Sequence, residues 1–116
     1  YMKLKDYEKA LEYYERASKG LEKTLGKTHP ETLSTVYNIA LVYNDILKDY
    51  RKAEELYQRV LEGFEAQLGK DHKNTKLCAM NLATCLAQAG EKLKLRKIID
   101  KYPHILIKDP SLKEYL

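Results

Sequence analysis

The sequence is poor in residues that bend or cross-link a chain. Its 116 residues include only 5 Gly, 3 Pro and 2 Cys, whereas 44% are hydrophobic and 33% are charged. This composition favours a few long helices over many short strands. The length fits one small domain or part of a larger array.

Long apolar runs and dense blocks of one charge are also missing. No stretch approaches the roughly 18 apolar residues of a membrane helix, and no signal-peptide pattern opens the chain. The net charge is +4, without a concentrated basic segment. We therefore expect no membrane association and no nucleic-acid partner.

The two cysteines are too far apart to form a disulfide with each other. Cys78 and Cys85 are seven residues apart in one predicted helix, which separates them by about 10 Å along the helix axis. A disulfide needs Cα atoms within about 7 Å. We expect buried free thiols in a reducing compartment, and hence a cytoplasmic protein.

Motifs of catalysis are absent as well. There is no Gly-rich phosphate loop, no recognisable Ser/His/Asp set and no close spacing of metal ligands. We expect no enzyme activity, no cofactor and no metal site. His29 and His72, which precede predicted helix starts, are interpreted as capping or linker residues.

What the sequence does contain is an internal duplication. Residues 4–40 and 47–83 are identical at 18 of 37 positions when the chain is shifted by 43 residues. Units of this length are typical of stacked supersecondary elements. Within each unit, apolar residues recur at steps of three and four, which is the period of amphipathic helices. This pattern predicts helices over 6–25, 31–46, 49–68 and 74–89.

The residues between these helices agree with the pattern. Gly26 and Gly69 follow the long helices, where a left-handed residue ends a helix. Pro30 stands in a first helical turn, where proline is tolerated. A further helix is predicted to begin near Glu91 and to end at Pro103.

The repeated motifs resemble those of the tetratricopeptide repeat family. Asn38-Ile39-Ala40 and Asn81-Leu82-Ala83 resemble the core of its first helix, and Tyr7-x-x-Ala10 and Tyr50-x-x-Ala53 resemble the start of its second helix. The Leu-Gly-Lys-x-His endings resemble the longer repeats, of about 42 residues, of kinesin light chains. The resemblance covers roughly residues 1–100. It implies an all-α, right-handed superhelical array of antiparallel helix pairs.

This resemblance divides the chain into about two and a half repeats. The turn at 45–48 is one residue longer than in the family pattern. The third repeat matches the pattern less well, because Lys92 and Leu95 replace the expected Tyr and Ala. Since the chain begins inside a helical pattern, we expect a fragment of a larger array. The predicted units are the second helix of a truncated repeat (1–30), a full repeat (31–72), a degenerate repeat (73–103) and a tail (104–116). The tail is either a capping helix or the first turn of another repeat.

The resemblance also implies a protein-interaction scaffold. The first helix of each pair would line a concave groove that receives a peptide or a helix of a partner protein. Asn38 and Asn81 would either bond a ligand backbone or tie neighbouring helices together. The candidate peptide-binding residues are Ser34, Tyr37, Asn38, Leu41, Asn44, Asp45, Leu77, Met80, Asn81, Thr84, Ala87 and Gln88.

Two alternatives remain open. If the helix at 6–25 exposes its apolar face, the chain could form a homodimer through residues 2–25. An RNA-binding helical repeat would need a basic concave face, which the candidate positions do not supply.

The preference of kinesin light chains for acidic cargo peptides does not transfer to this chain, because the candidate surface carries Asp45 and only Lys76 nearby.

Overall fold

The computed structural model describes residues 4–116, and all regular elements in that range are helical. A π-helical turn, Val42–Ile46, continues the second helix, and a 3₁₀ helix, Pro110–Tyr115, follows the last one. Residues 1–3, which belong to the predicted first unit and in part to the predicted dimer segment 2–25, lie outside the described range. The α-helices are α1 (Leu4–Thr24), α2 (Pro30–Leu41), α3 (Tyr50–Leu68), α4 (Lys73–Ala89), α5 (Lys92–Lys101) and α6 (His104–Lys108).

Each helix packs against the next one along the chain. α2 lies between α1 and α3, and α4 lies between α3 and α5. The short α6 and the 3₁₀ helix fold back onto α4, where Ile105 and Leu112 are buried. This arrangement confirms the predicted all-α array of helix pairs. No helix in residues 4–116 combines the length and the apolar character that crossing a membrane requires.

Helices α1 and α3 end in the same way, as the duplication predicts. Gly26 and Gly69 have φ angles of 99° and 90°, a region that L side chains rarely adopt. The next helix then begins with a histidine cap. Nδ1 of His29 accepts a hydrogen bond from the Glu31 amide at 3.2 Å, and Nδ1 of His72 accepts one from the Asn74 amide at 3.0 Å. The interpretation of both histidines as capping residues is confirmed.

The extra residue of the second repeat is accommodated in the π-helical turn. The amide of Leu47 donates to the carbonyl of Val42, five residues back, at 3.1 Å. Such a turn inserts one residue into a helix without breaking it. Lys48 then adopts a left-handed φ of 56°, in the place where the third repeat has Gly90 at 77°. The duplicated units therefore keep their packing although their lengths differ.

An ion pair recurs at equivalent positions between successive units. Arg59 of α3 contacts Glu22 of α1 at 2.7 Å, and Lys101 of α5 contacts Glu65 of α3 at 2.7 Å. Partly exposed pairs of this kind contribute modestly to stability. Their recurrence shows that α1, α3 and α5 stack in one repeating register.

Helices α2 and α3 approach each other closely at Gly63 of α3. A Cβ atom at this position would overlap with Cδ1 of Leu33, which is 1% exposed on α2. At the equivalent glycine of the first unit, Gly20, no atom of another part of residues 4–116 lies within 4 Å of the place that a Cβ atom would take. The two glycines therefore occupy the same place in the repeat but meet different surroundings.

This difference predicts opposite effects of the same substitution. Gly20→Ala should raise the free energy of unfolding by about 0.5–1 kcal/mol, because alanine favours the helix over glycine. Gly63→Ala gains the same preference but overpacks the core against Leu33, which costs about 1–3 kcal/mol. Urea denaturation of both variants would measure the difference. Equal stabilisation by the two substitutions would contradict the close contact at Gly63.

Candidate ligand-binding groove

A hollow of about 130 Å³ lies between α2 and α4. Leu77, which is 50% exposed, and Phe64 give it apolar walls. Ser34 and Asn74 give it polar groups, and Tyr37 contributes both a ring and a hydroxyl. An apolar floor with a few polar groups is the usual composition of a ligand site.

A second hollow, of about 330 Å³, lies between α4 and α6 and shares Leu77 with the first. Lys73, Lys76 and Lys108 make its rim predominantly positive, opposed by the single carboxylate of Asp71. The two hollows together form a groove that crosses the exposed side of α4. We call this surface the α4 groove; it is lined by Ser34, Tyr37, Phe64, Asp71, Lys73, Asn74, Lys76, Leu77, Met80, His104 and Lys108.

His104 gives the second hollow a weakly basic group. Burial lowers the pKa of its imidazole, and the charges of Lys76 and Lys108 lower it further, although the backbone carbonyl of Lys76 opposes the shift. Nε2 is buried and has no hydrogen bond of normal geometry. At neutral pH the positive charge of this hollow therefore comes from the lysines.

The predicted site residues fall into three groups. Ser34, Tyr37, Leu77 and Met80 line the α4 groove. Asn38, Leu41, Asp45, Asn81, Thr84 and Gln88 are exposed or half-buried on the same helices without lining either hollow. Asn44 and Ala87 are only 5% and 6% exposed, so the expectation that they face solvent is wrong.

Asn44 lies in the π-helical turn, and its counterpart 43 residues further on, Ala87 of α4, is buried as well. The burial is therefore a property of this position in the repeat. Nδ2 of Asn44 donates to Oδ1 of Asp45 at 2.7 Å, while Oδ1 of Asn44 is buried without a partner. Ala87 and Tyr115 of the C-terminal segment line one small hollow.

Tyr37 connects the first helices of two successive repeats. Its hydroxyl accepts a hydrogen bond from Nδ2 of Asn81, and its ring lies 5.9 Å from the ring of Tyr57. Burial, the nearby Cys78 thiol and Asp45 raise the pKa of the Tyr37 hydroxyl above its ordinary value, so the hydroxyl stays protonated at neutral pH. The side chain of Asn81 thus links α4 to α2 through this hydrogen bond.

Asn38 occupies the equivalent position in the preceding repeat but differs in its contacts. Its side chain is exposed and makes no hydrogen bond to any residue in 4–116. The amide of Asn38 is therefore available both to donate and to accept. The two asparagines, which the sequence alone treats alike, have separate roles in this structure.

The cysteines and acidic residues do not form a reactive centre. Cys78 and Cys85 are free and buried, and their thiols donate to the carbonyl oxygens of Tyr57 and Tyr50 on α3. Burial raises the pKa of both thiols to about 12, which disfavours the nucleophilic thiolate. In the described part of the chain, no group of three or more His, Cys, Asp or Glu side chains is placed to hold a metal ion.

Several residues that line the α4 groove are not among the candidates predicted from the sequence. Asn74 precedes Leu77 by one helical turn, so helical periodicity could have found it. Phe64 is an apolar residue of α3 and only 6% exposed, yet it also lines the first hollow. His104 and Lys108 reach the groove because α6 folds back onto α4.

Comparison with known families gives one match. A family model described as tetratricopeptide repeat matches residues 1–64 and again residues 33–94. The two overlapping matches together extend over most of the chain and follow its internal duplication. A search of curated proteins returns no match.

The contact between Tyr37 and Asn81 can be measured with a double-mutant cycle. Tyr37→Phe and Asn81→Ala should each lower stability, and their effects should be coupled by about 0.5–1.5 kcal/mol, since each removes the same partly buried hydrogen bond. Tyr37→Phe combined with Asn38→Ala is the matched control, whose effects should add. Additive effects of Tyr37→Phe and Asn81→Ala would show that the hydrogen bond does not stabilise the fold.

The buried thiols predict a dependence of stability on pH. The ordinary thiol pKa is 9.0, whereas both folded thiols titrate at about 12. The unfolded state therefore releases protons above pH 9 that the folded state retains, and stability should fall as pH rises through this window. The limit is about 1.4 kcal/mol per pH unit for each thiol. Urea denaturation from about pH 7.5 to 10 should show a shallower fall in a Cys78→Ala, Cys85→Ala variant; identical slopes would contradict the thiol contribution.

Proposed function

Since the chain belongs to the tetratricopeptide repeat family, whose members generally mediate protein–protein interactions, we propose that it binds a peptide or helix of a partner protein in the α4 groove. The observation that carries this proposal is the pair of adjoining hollows that share Leu77. A half-exposed leucine between polar rims is a suitable anchor for one apolar side chain of a ligand.

The chemistry of the groove constrains the ligand. The hollow between α2 and α4 has no Lys or Arg in its lining, whereas three lysines border the hollow between α4 and α6. A peptide with an apolar residue over Leu77 and an acidic residue toward Lys76 and Lys108 would complement both. Positive charge confined to one end of the groove favours a protein ligand over RNA, which needs a continuous basic track.

We also propose that the chain belongs to the kinesin-light-chain-like subgroup. The features in favour are the repeated Leu-Gly-Lys-x-His turns, in which Gly26 and Gly69 take positive φ angles and His29 and His72 cap the next helix. These features bear on the architecture of the repeat. They do not identify a cargo, because the ligand-facing residues lie elsewhere.

We also propose that the role of the chain is non-enzymatic and that the chain acts in the cytoplasm. The family is typically a scaffold without catalytic activity. The raised thiol pKa values leave Cys78 and Cys85 poorly suited to nucleophilic chemistry. The cytoplasmic location is proposed from the two free thiols, which suit a reducing compartment.

Self-association is a second candidate, and α1 provides the observation in its favour. Tyr13 is 70% exposed and Leu25 is 42% exposed on the predicted dimer segment 2–25. Exposed apolar residues on one helix favour contact with another molecule. No residue of this segment lines the α4 groove, so a homodimer through it is compatible with ligand binding.

The groove proposal can be tested with peptides selected from a random display library against the immobilised chain. For a selected peptide, Leu77→Glu should weaken binding at least about tenfold, because it places a charge in the apolar centre of the groove. Asn38→Ala should weaken binding by about threefold to tenfold if the free amide bonds the ligand backbone. Isothermal titration calorimetry would measure both effects.

Leu93→Glu is the matched control for Leu77→Glu. Leu93 is 74% exposed on α5 and lines neither hollow, so its substitution should leave the affinity unchanged. Circular dichroism would confirm that all three variants keep the helical fold. Peptides that bind Leu77→Glu as tightly as the parent chain, or a failure to select any peptide, would refute the proposed groove.

A further inference from the structure

Three lysines gather at the hollow between α4 and α6 without forming ion pairs. Lys73 and Lys76 are three residues apart on α4, and the return of α6 brings Lys108 to the same hollow. Residues three apart lie on one face of a helix, where like charges repel each other. No ammonium group of the three forms an ion pair with any residue in 4–116.

Cations at other helix contacts of this fold are treated differently. Arg59 of α3 and Lys101 of α5 each contact a glutamate of the helix two elements earlier, at 2.7 Å. Lys94 of α5 contacts Glu54 of α3 at the same distance. The repeat therefore supplies carboxylates where cations meet a neighbouring helix, whereas the lysines of this hollow keep their charge available to a ligand.

The duplication shows that packing does not call for a lysine at position 76. The counterpart of Lys76 in the preceding repeat is Leu33, a core residue that is 1% exposed. Lys76 is half-buried. Burying part of an unpaired charge is unfavourable, while a leucine gains free energy from burial at the same place. Lys76 is therefore better explained by binding than by stability.

The net charge of the hollow indicates which acidic group fits it. Three lysines and the single carboxylate of Asp71 leave two positive charges. His104 adds none at neutral pH, because burial lowers the pKa of its imidazole. A carboxylate of Asp or Glu would balance half of this charge. A phosphate monoester carries about −1.5 to −2 at pH 7 and has three acceptor oxygens, so it matches both the charge and the number of lysines.

We propose that the hollow between α4 and α6 binds a phosphorylated side chain of the partner peptide. Lys73, Lys76 and Lys108 would donate charge-assisted hydrogen bonds to the phosphate oxygens. The proposal rests on peptide binding in the α4 groove and specifies the acidic group of that peptide. The adjoining hollow has no Lys or Arg in its lining. The positive charge therefore ends at Leu77, which favours one phosphate group over the backbone of a nucleic acid.

Three peptide libraries test the proposal against the immobilised 116-residue chain. They share random flanking positions and differ in one fixed residue, which is phosphoserine, glutamate or serine. A peptide retained from the phosphoserine library is labelled with fluorescein, and its binding is followed by fluorescence anisotropy. We expect its glutamate form to bind at least about tenfold more weakly and its serine form more weakly still, because charge-assisted hydrogen bonds are lost.

Single substitutions in the chain locate the phosphate. Lys73→Ala and Lys108→Ala should each weaken binding of the phosphopeptide about tenfold. Lys92→Ala is the matched control, because Lys92 is an exposed lysine of α5 that lines neither hollow of the α4 groove. Its affinity for the phosphopeptide should equal that of the parent chain.

Two further substitutions separate loss of the phosphate site from loss of the fold. Lys76→Leu restores the residue of the preceding repeat, so it should raise the midpoint of urea denaturation while weakening phosphopeptide binding about tenfold. Asp71→Asn removes the opposing carboxylate and should tighten binding about threefold. A damaged fold would produce neither result.

The phosphate assignment is overturned if the serine form binds as tightly as the phosphoserine form, or if Lys76→Leu binds the phosphopeptide like the parent chain. It is also overturned if single-stranded RNA binds more tightly than the phosphopeptide and loses affinity in the same lysine variants. Leu77→Glu distinguishes the two proposals. If only the phosphate assignment fails, Leu77→Glu still weakens the peptides selected for the groove; if the groove itself fails, Leu77→Glu has no effect on them.

Discussion

The close packing of α3 between α2 and α4 is the constraint on which the rest of the structure depends. Ala53 and Val60 are fully buried, and Gly63 leaves no space for even a methyl group beside Leu33. Small residues let the two helix backbones approach closely. That approach brings α2 and α4 near enough for the Tyr37 hydroxyl to reach Asn81. The α4 groove exists because these helices are held side by side.

Much of this packing could be predicted from the sequence because it is periodic. The apolar stripe of α3 and the repeated glycine and histidine turns predicted the helices, their ends and most of the core. Ala89 departed from that pattern, since it is an apolar residue of α4 and yet is exposed. Periodicity shows which residues share a face, but it does not show whether a neighbour covers that face.

The parts that could not be predicted depend on contacts between distant residues. The return of α6 onto α4 buries Ile105 and brings His104 to the groove. Likewise, Asn38 and Asn81 share a motif, but among residues 4–116 only Asn81 bonds a tyrosine of another repeat. The role of a repeated residue is therefore set by its position in the array as well as by its motif.

The π-helical turn at Val42–Ile46 bears on how arrays of this kind change in length. The inserted residue is absorbed within a single turn. The ion pair that spans it, Arg59 with Glu22, has the same 2.7 Å separation as the pair of Lys101 with Glu65 in the next unit, which has no insertion. Insertion at this point leaves the contacts between helices intact. Repeats of unequal length can thus coexist in one stack. The connection between paired helices is a place where a repeat can gain a residue and still keep its contacts with the neighbouring repeats.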